Sequence, residues 1–251
     1  MKMRPWKHTL LIGAIALALI GIVAVPTLVI AIPAAKLSMA SSLQDNGNTA
    51  CAFEAFDRIG DYRDAQARKA RLQADVIQSR SAQAMDFGGY SWLVLEERDG
   101  KILLLLKDIL ELMPYNEALT ATSWETCTLR AYLNSAFYSS FSEAERIRIV
   151  ETAIANRDNA ENGTKAGSDT KDYIFLLSLA EAKLYFPTDA ARAARSGRGA
   201  AAWWWLRSPG MEPMLAATVG SDGALGYAGS GVNYTNRGVR PAMWVTMGQA
   251  G

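Results

Sequence analysis

The chain has 251 residues, with 26 basic and 25 acidic side chains and a single histidine. Lys2, Arg4 and Lys7 precede any acid, which leaves 23 of the 26 basic residues against all 25 acids, and a body of that slightly acidic balance excludes the basic face that a nucleic-acid partner requires. The hydrophobic content of 50% is inflated by one segment near the N-terminus, and the remaining chain suffices for one medium domain plus a small appendage.

That segment, TLLIGAIALALIGIVAVPTLVIAI, runs from Thr9 to Ile32 without a charge. About 20 apolar residues in a helix cross a bilayer core. Pro26 is tolerable near the end of such a helix, and Trp6 suits the interface. The cluster Lys2, Arg4, Lys7 would stay cytoplasmic. The expectation is a signal anchor over residues 1–35, single-pass in the cell membrane, with the body extracytoplasmic. A cleaved signal peptide ending near Ala34 and Ala35 is the rival, and both export the body. Export makes a Cys51–Cys127 disulfide chemically accessible, but one pair is no framework, and two buried thiols are the equal alternative.

Residues 36–80 read as a short helical hairpin or stalk, broken at Asn46-Gly47-Asn48 and again at Gly60-Asp61. Ala52, Ala55, Phe56 and Ile59 fall on one helical face. AFEAFDRIGDYRDA resembles part of a tetratricopeptide-like unit, and one such unit cannot bury its own face.

From residue 86 the pattern turns to strands. Asp99-Gly100 predicts a hairpin, with Tyr90, Trp92 and Val94 alternating onto one face and ILLLL forming a central, buried strand. A helix through TCTLRAYLNSAFYSSF would bury Leu129, Tyr132, Leu133 and Phe137, and Ser142 with Glu145 forms a capping box opening a helix over EAERIRIVET. Residues 156–169 are loop-like, DYIFLLS is a buried strand, and LAEAKLYF is a helix stopped by Pro187. The last third, with glycines at 210, 220, 223, 226, 229, 231 and 238, holds short strands: WWWLR, AATVG, ALGYA, GVNYT and VRPAMWV, with a turn at Asp222-Gly223. Helices followed by an irregular sheet give an α+β order.

The ordered series FGGYSWLVL, SWETCTLRAYLNSAF, FLLSLAEAKLYF, WWLRSPG and GVRPAMW resembles a bacterial, Firmicutes-type domain of unknown function over residues 86–247. Its close, WWLRSPG followed by GVRPA, also resembles the C-type-lectin-like fold in the branch shared with formylglycine-generating enzymes. The implied architecture is an α+β, C-type-lectin-like domain with an irregular glycine-rich antiparallel sheet and two or three helices, behind a transmembrane helix and a helical hairpin. Some members of the resembled family are variable proteins of diversity-generating retroelements, which retarget a binding surface by adenine-directed mutagenesis. Their scaffold pattern matches at Ala216, Ala217, Val219, Asp222, Gly223, Gly229 and Val232. Between these lie Leu215, Ser221, Leu225, Tyr227, Ser230, Gly231, Asn233, Tyr234, Thr235, Asn236 and Arg237, each reachable from an asparagine codon by changing adenines alone. Met211, Glu212 and Met214 are not reachable in that way.

Catalytic constellations are lacking in the sequence. The sole histidine, His8, sits before the apolar segment, so the body has no Ser-His-Asp triad, Cys-His pair or histidine metal ligand. Formylglycine-generating enzymes use a cysteine pair, whereas this domain has only Cys127. Glu96-Glu97 reads as a solvated hairpin end. The sugar-binding motif of C-type lectins fails at Met214 after Glu212-Pro213, and the EF-hand-like DNAENG from Asp158 puts Ala160 where a ligand is needed. No metal or cofactor is expected. In WWWLR, Trp203 and Trp205 would share one strand face and Trp204 the other, most of the run being core with one indole edging a binding surface. Buried Arg207 and Arg240 would need carboxylates, for which Asp172, Glu125 and Glu181 are available.

The expected function is therefore a membrane-anchored extracytoplasmic binding protein and not an enzyme. Its surface is placed on 211–237, with Tyr227 and Tyr234 as anchors for a protein, peptide or glycan. The alternatives are an enzyme on the formylglycine-generating-enzyme-like fold, and a structural envelope protein docking partners through its helical hairpin.

Overall fold

The computed structural model describes residues 32–80 and 83–247 and divides into two compact units, Met1–Ala70 and Arg71–Gly251. In the first unit, α1 (described over 32–45) and α2 (Thr49–Ile59) are followed by the start of α3 (Ala65–Gln78). The breaks fall at the expected places because Gly47 and Gly60 adopt positive φ, 71° and 65°. The buried face of α2 is Ala52, Phe53 and Phe56 rather than the expected Ala52, Ala55, Phe56 and Ile59. Phe53 turns inward beneath Lys69, whose ammonium lies 5.6 Å from the ring centroid and 2.6 Å from Asp57.

The transmembrane segment expected over Thr9–Ile32 lies outside the described residues, apart from Ile32. Among the described residues, no helix is long and apolar enough to cross a membrane. This corrects the expected architecture, a C-type-lectin-like domain behind a single-pass anchor, and with it the expected membrane location. The described fold is a mixture of helices and several small antiparallel sheets.

In the second unit, the end of α3 buries Leu72 and Val76, and the Gln73 amide donates to the carbonyls of Lys183 and Leu184 at 2.8 and 3.0 Å. Strands β1 (Ala84–Phe87), β2 (Tyr90–Arg98) and β3 (Lys101–Leu106) precede α4 (Thr128–Tyr132), which continues as a π-helical turn over Leu133–Phe137. Then come α5 (Glu143–Arg146), β4 (Ile149–Val150), β5 (Thr152–Ile154), β6 (Thr170–Asp172), α6 (Leu179–Tyr185) and α7 (Asp189–Arg192). Strands β7 (Ala194–Arg195), β8 (Ala201–Ala202), β9 (Trp204–Pro209), β10 (Leu215–Val219), β11 (Leu225–Gly231) and β12 (Ala242–Thr246) complete the chain.

The main sheet has the order β1-β2-β3-β12-β4, so ILLLL is central as expected, with Leu103 to Leu106 buried. Asp99 and Gly100 both take positive φ, 52° and 70°, the geometry that matches the twist of a two-residue hairpin. A second sheet, β11-β10-β9, carries the glycine-rich stretch. The pairs β5-β6 and β7-β8 are small accessory ribbons.

Two expected elements are shorter. The helix opened by the Ser142–Glu145 capping box ends at Arg146, because Ile149 and Val150 pair with Val245 and Trp244 of β12. The segment Ile174–Leu177 is buried as expected but forms no ladder, only an isolated bridge from Phe175 to Ala242. Side chains and the Arg207 amide, which donates to the Leu177 carbonyl, satisfy several of its other backbone groups. Asn134 accepts from the Tyr173 and Ile174 amides and donates to the Ile174 carbonyl, and Arg207 donates to Leu176. GVNYT is likewise a turn beyond residue 231, not a strand.

The two anchor arginines differ. Arg207 forms the expected pair with Glu181, through both terminal guanidinium nitrogens. Arg240 has no carboxylate partner among the described residues. It donates to the carbonyls of Leu106, Lys107 and Arg192 at 2.8, 3.0 and 3.3 Å and lies between the rings of Trp204 and Phe186. Burial lowers its pKa to about 10. Asp172 instead binds Arg130 at 2.6 Å and the Trp124 indole at 2.8 Å.

Candidate functional site

The stretch 211–237 is built on a hairpin packed against β9. Every position matched to the scaffold pattern by an apolar side chain is interior: Ala216, Ala217, Val219 and Val232 are at most 1% exposed. Gly223 and Gly229 take φ of 89° and 81°, a region that only glycine enters freely. A Cβ on Gly223 would stand 1.7 Å from the Asp189 carbonyl oxygen, and one on Gly229 would stand 2.5 Å from that of Ala216. Asp222 is exposed and accepts from the Ala224 amide, closing the turn.

The intervening positions sit differently. Tyr234, Thr235 and Asn236 are exposed, and Leu215, Ser221, Leu225, Tyr227, Asn233 and Arg237 are half-buried. Ser230 and Gly231 are buried. The three atoms nearest a Cβ on Gly231 would all belong to side chains, the closest being Tyr234 Cε1 at 2.9 Å.

These residues gather in two groups. Ser221, Leu225 and Tyr227 lie toward the hairpin turn, where the Lys183 ammonium is 5.8 Å from the Tyr227 ring. Leu215 pairs with Gly231 at the other end, which also holds Ser230 and the turn from Asn233 to Arg237. The Arg237 guanidinium lies 4.8 Å from the ring of Trp203 and 5.5 Å from that of Tyr234.

The tryptophan run divides accordingly. Trp204 and Trp205 are fully buried, and their indoles donate to the carbonyls of Arg192 and Met113. Trp203 precedes β9 and is 42% exposed, so it does not share a buried face with Trp205 as the strand alternation predicts. It is the one exposed indole of the run.

Two further segments support this stretch, and nothing in the sequence signals that role. One is the strap 110–122, bonded to residues 213–239 by Leu110 to Val239, Met113 to Arg237, Asn116 to Val232 and Thr122 to Pro213. It exposes Leu112 and Leu119, and Met211 and Met214 are exposed as well. The other is the loop 156–169, pinned by buried Asn159, whose amide donates to the carbonyls of Pro209 and Tyr227 at 2.8 and 3.0 Å. Between strap and loop lies an open cleft of about 490 Å³, lined by Thr122, Ser123, Thr126, Asn162, Lys165 and Pro213 among others. Asp158 is occupied by Lys165 and the Ala166 amide, and the Asn162 side chain accepts from Thr164.

Both cysteines are free. The Cys127 sulfur accepts from the Arg130 amide as the N-cap of α4, and burial pushes its thiol up to about 12. A thiol so disposed is inert as a nucleophile. Among the described residues, no three His, Cys, Asp or Glu side chains group as metal ligands would.

Residues 99–247 match the model of a domain of unknown function (DUF6273), and the chain belongs to that family. No curated protein matches it. No solved structure matches it.

Proposed function

We propose that this DUF6273 member is a binding protein whose ligand surface is carried by residues 211–237, and that it is a variable protein of a diversity-generating retroelement. The observation that carries this reading is the separation of two residue classes within one short stretch. The apolar scaffold positions Ala216, Ala217, Val219 and Val232 are interior, while nine of the eleven positions open to adenine-directed change, all but Ser230 and Gly231, reach the surface. Substitution at such surface positions costs little stability, within about 0.5 kcal/mol. A surface that must be rewritten needs that separation. The inert thiol of Cys127, spent on a helix cap, favours binding over catalysis on this fold.

The flanking DNA provides the test. A near-copy of the segment encoding Trp203–Trp244 is expected close by, next to a reverse-transcriptase gene, with differences at adenines of the copy. Those differences should fall at codons for Leu215, Ser221, Leu225, Tyr227, Ser230, Gly231 and Asn233–Arg237. Absence of both copy and reverse transcriptase would contradict diversification and leave a binding surface of fixed specificity.

A further inference from the structure

In the turn beyond β11 lies a cation, Arg237, that no carboxylate among the described residues neutralises. The Arg237 Nε donates to Ser230 Oγ at 3.2 Å, and one terminal nitrogen donates to Asn236 Oδ1 at 2.8 Å. Those two bonds fix the plane of the guanidinium. Its carbon lies 4.8 Å from the Trp203 ring centroid and 5.5 Å from that of Tyr234. The second terminal nitrogen, Nη2, is left for an outside acceptor, and among the described residues no carboxylate pairs with Arg237. Other arginines of the same unit are engaged differently: Arg130 with Asp172, Arg192 with Asp189, Arg207 with Glu181.

The walls are also fixed. Trp203 is held beside Arg237 because its carbonyl accepts from the Gly238 amide at 2.7 Å, yet it remains 42% exposed, and Tyr234 is 49% exposed. Two large rings left in water around an oriented, unneutralised guanidinium form a preorganised arrangement. Aromatic and arginine side chains of this kind carry most of the energy at interfaces. The β7–β8 hairpin that runs directly into Trp203 adds exposed Arg195 and Arg198.

We propose that Trp203, Arg237 and Tyr234 form a clamp for the carboxylate of an acidic protein segment. This rests on the reading of 211–237 as the ligand surface and names the chemistry that surface takes. A carboxylate oxygen accepts from the free Nη2 in a charge-assisted bond, while the flanking rings exclude water and cover the neighbouring apolar atoms of the segment. One guanidinium matches the single charge of a carboxylate. Trp203 lies outside the positions open to adenine-directed change, so it is a constant wall, whereas Tyr234 and Arg237 are exchangeable. Replacing Arg237 would abolish the acidic preference without removing the surface.

The test is to pan a random peptide library against the immobilised full chain and measure the recovered peptides on variants. Peptides enriched in Asp and Glu are expected, with binding weakened at least about tenfold by Arg237→Gln and by Trp203→Ala. The exposed control Ile147→Ser should leave it unchanged, and thermal melts should confirm that each variant folds. Peptides without acidic enrichment, surviving Arg237→Gln but lost on Tyr227→Ala, would overturn the clamp and leave the surface reading intact. Peptides indifferent to every substitution in 211–237, or no peptide recovered at all, would overturn the clamp, and the first of these would overturn the surface reading with it.

Discussion

Gly229 and Gly231 stand two residues apart on the same strand, and their surroundings are opposite. A methyl group on Gly229 would meet the backbone of Ala216 at a φ of 81°, whereas one on Gly231 would meet the tip of the Tyr234 ring. Backbone cannot yield without moving the sheet, while a surface ring can turn aside. The same contrast separates the frame, with its buried Ala216, Ala217, Val219 and Val232, from the rim that runs through the turn 233–237. What makes a position permissive is therefore not its residue type or its burial but whether its neighbours are main chain or mobile side chain.

The largest effect should come from Gly223→Ala, where a Cβ would lie 1.7 Å from the Asp189 carbonyl oxygen at a φ of 89°. The strain of the left-handed backbone and the overlap together should cost about 4 kcal/mol, read as loss of the cooperative urea transition. Glu181→Gln comes next. It leaves Arg207, whose side chain is 4% exposed, without its carboxylate, and a loss of about 3 kcal/mol in urea melts is expected. An unchanged midpoint would mean that the backbone acceptors of Arg207 suffice. The pair Gly229→Ala and Gly231→Ala sharpens the comparison itself, with about 2 kcal/mol lost at the first and within about 0.5 kcal/mol at the second. Equal losses would erase the distinction between frame and rim.

The last contrast is one of pH, and it leaves stability near neutral pH unchanged. Cys127 belongs to the frame, and burial raises its folded pKa from 9.0 to about 12. The fold thus favours the protonated thiol. That contribution is fully present below pH 9 and is lost as pH climbs from about 9 toward about 12. In a thiol-reagent assay at pH 8, Cys51, which is half-buried, should react on the native chain, and Cys127 only after unfolding. Equal native rates would contradict the burial of Cys127.

Local signals were legible because local chemistry decides them. Asp99-Gly100, the Ser142–Glu145 capping box and Gly47 each specify backbone geometry within a few residues, and each forms as expected. Signals that depend on distant partners were not. The helix after Glu143 yields to β-pairing of Ile149 with a strand almost a hundred residues later, and no periodicity in the segment records that partner. Arg240 was expected to need a carboxylate, but converging carbonyls and two rings meet its needs, a solution set only by tertiary packing. In the candidate site, the positions of the frame came through the family resemblance, whose scaffold pattern matches at Ala216, Ala217, Val219, Gly223, Gly229 and Val232. The strap carrying Leu112 and Leu119 could not be read, because its link to residues 213–239 is made by backbone hydrogen bonds that leave no residue signature.

The central claim, a rigid frame carrying a replaceable rim, is tested most directly by a saturation scan of residues 204–246 scored for folding by protease resistance. The account predicts tolerance at Leu215, Ser221, Leu225, Tyr227, Gly231 and Asn233–Arg237, and intolerance at Ala216, Ala217, Val219, Gly223, Gly229 and Val232. A scan in which the two sets tolerate substitution equally, or in which the rim is the less tolerant, would contradict it.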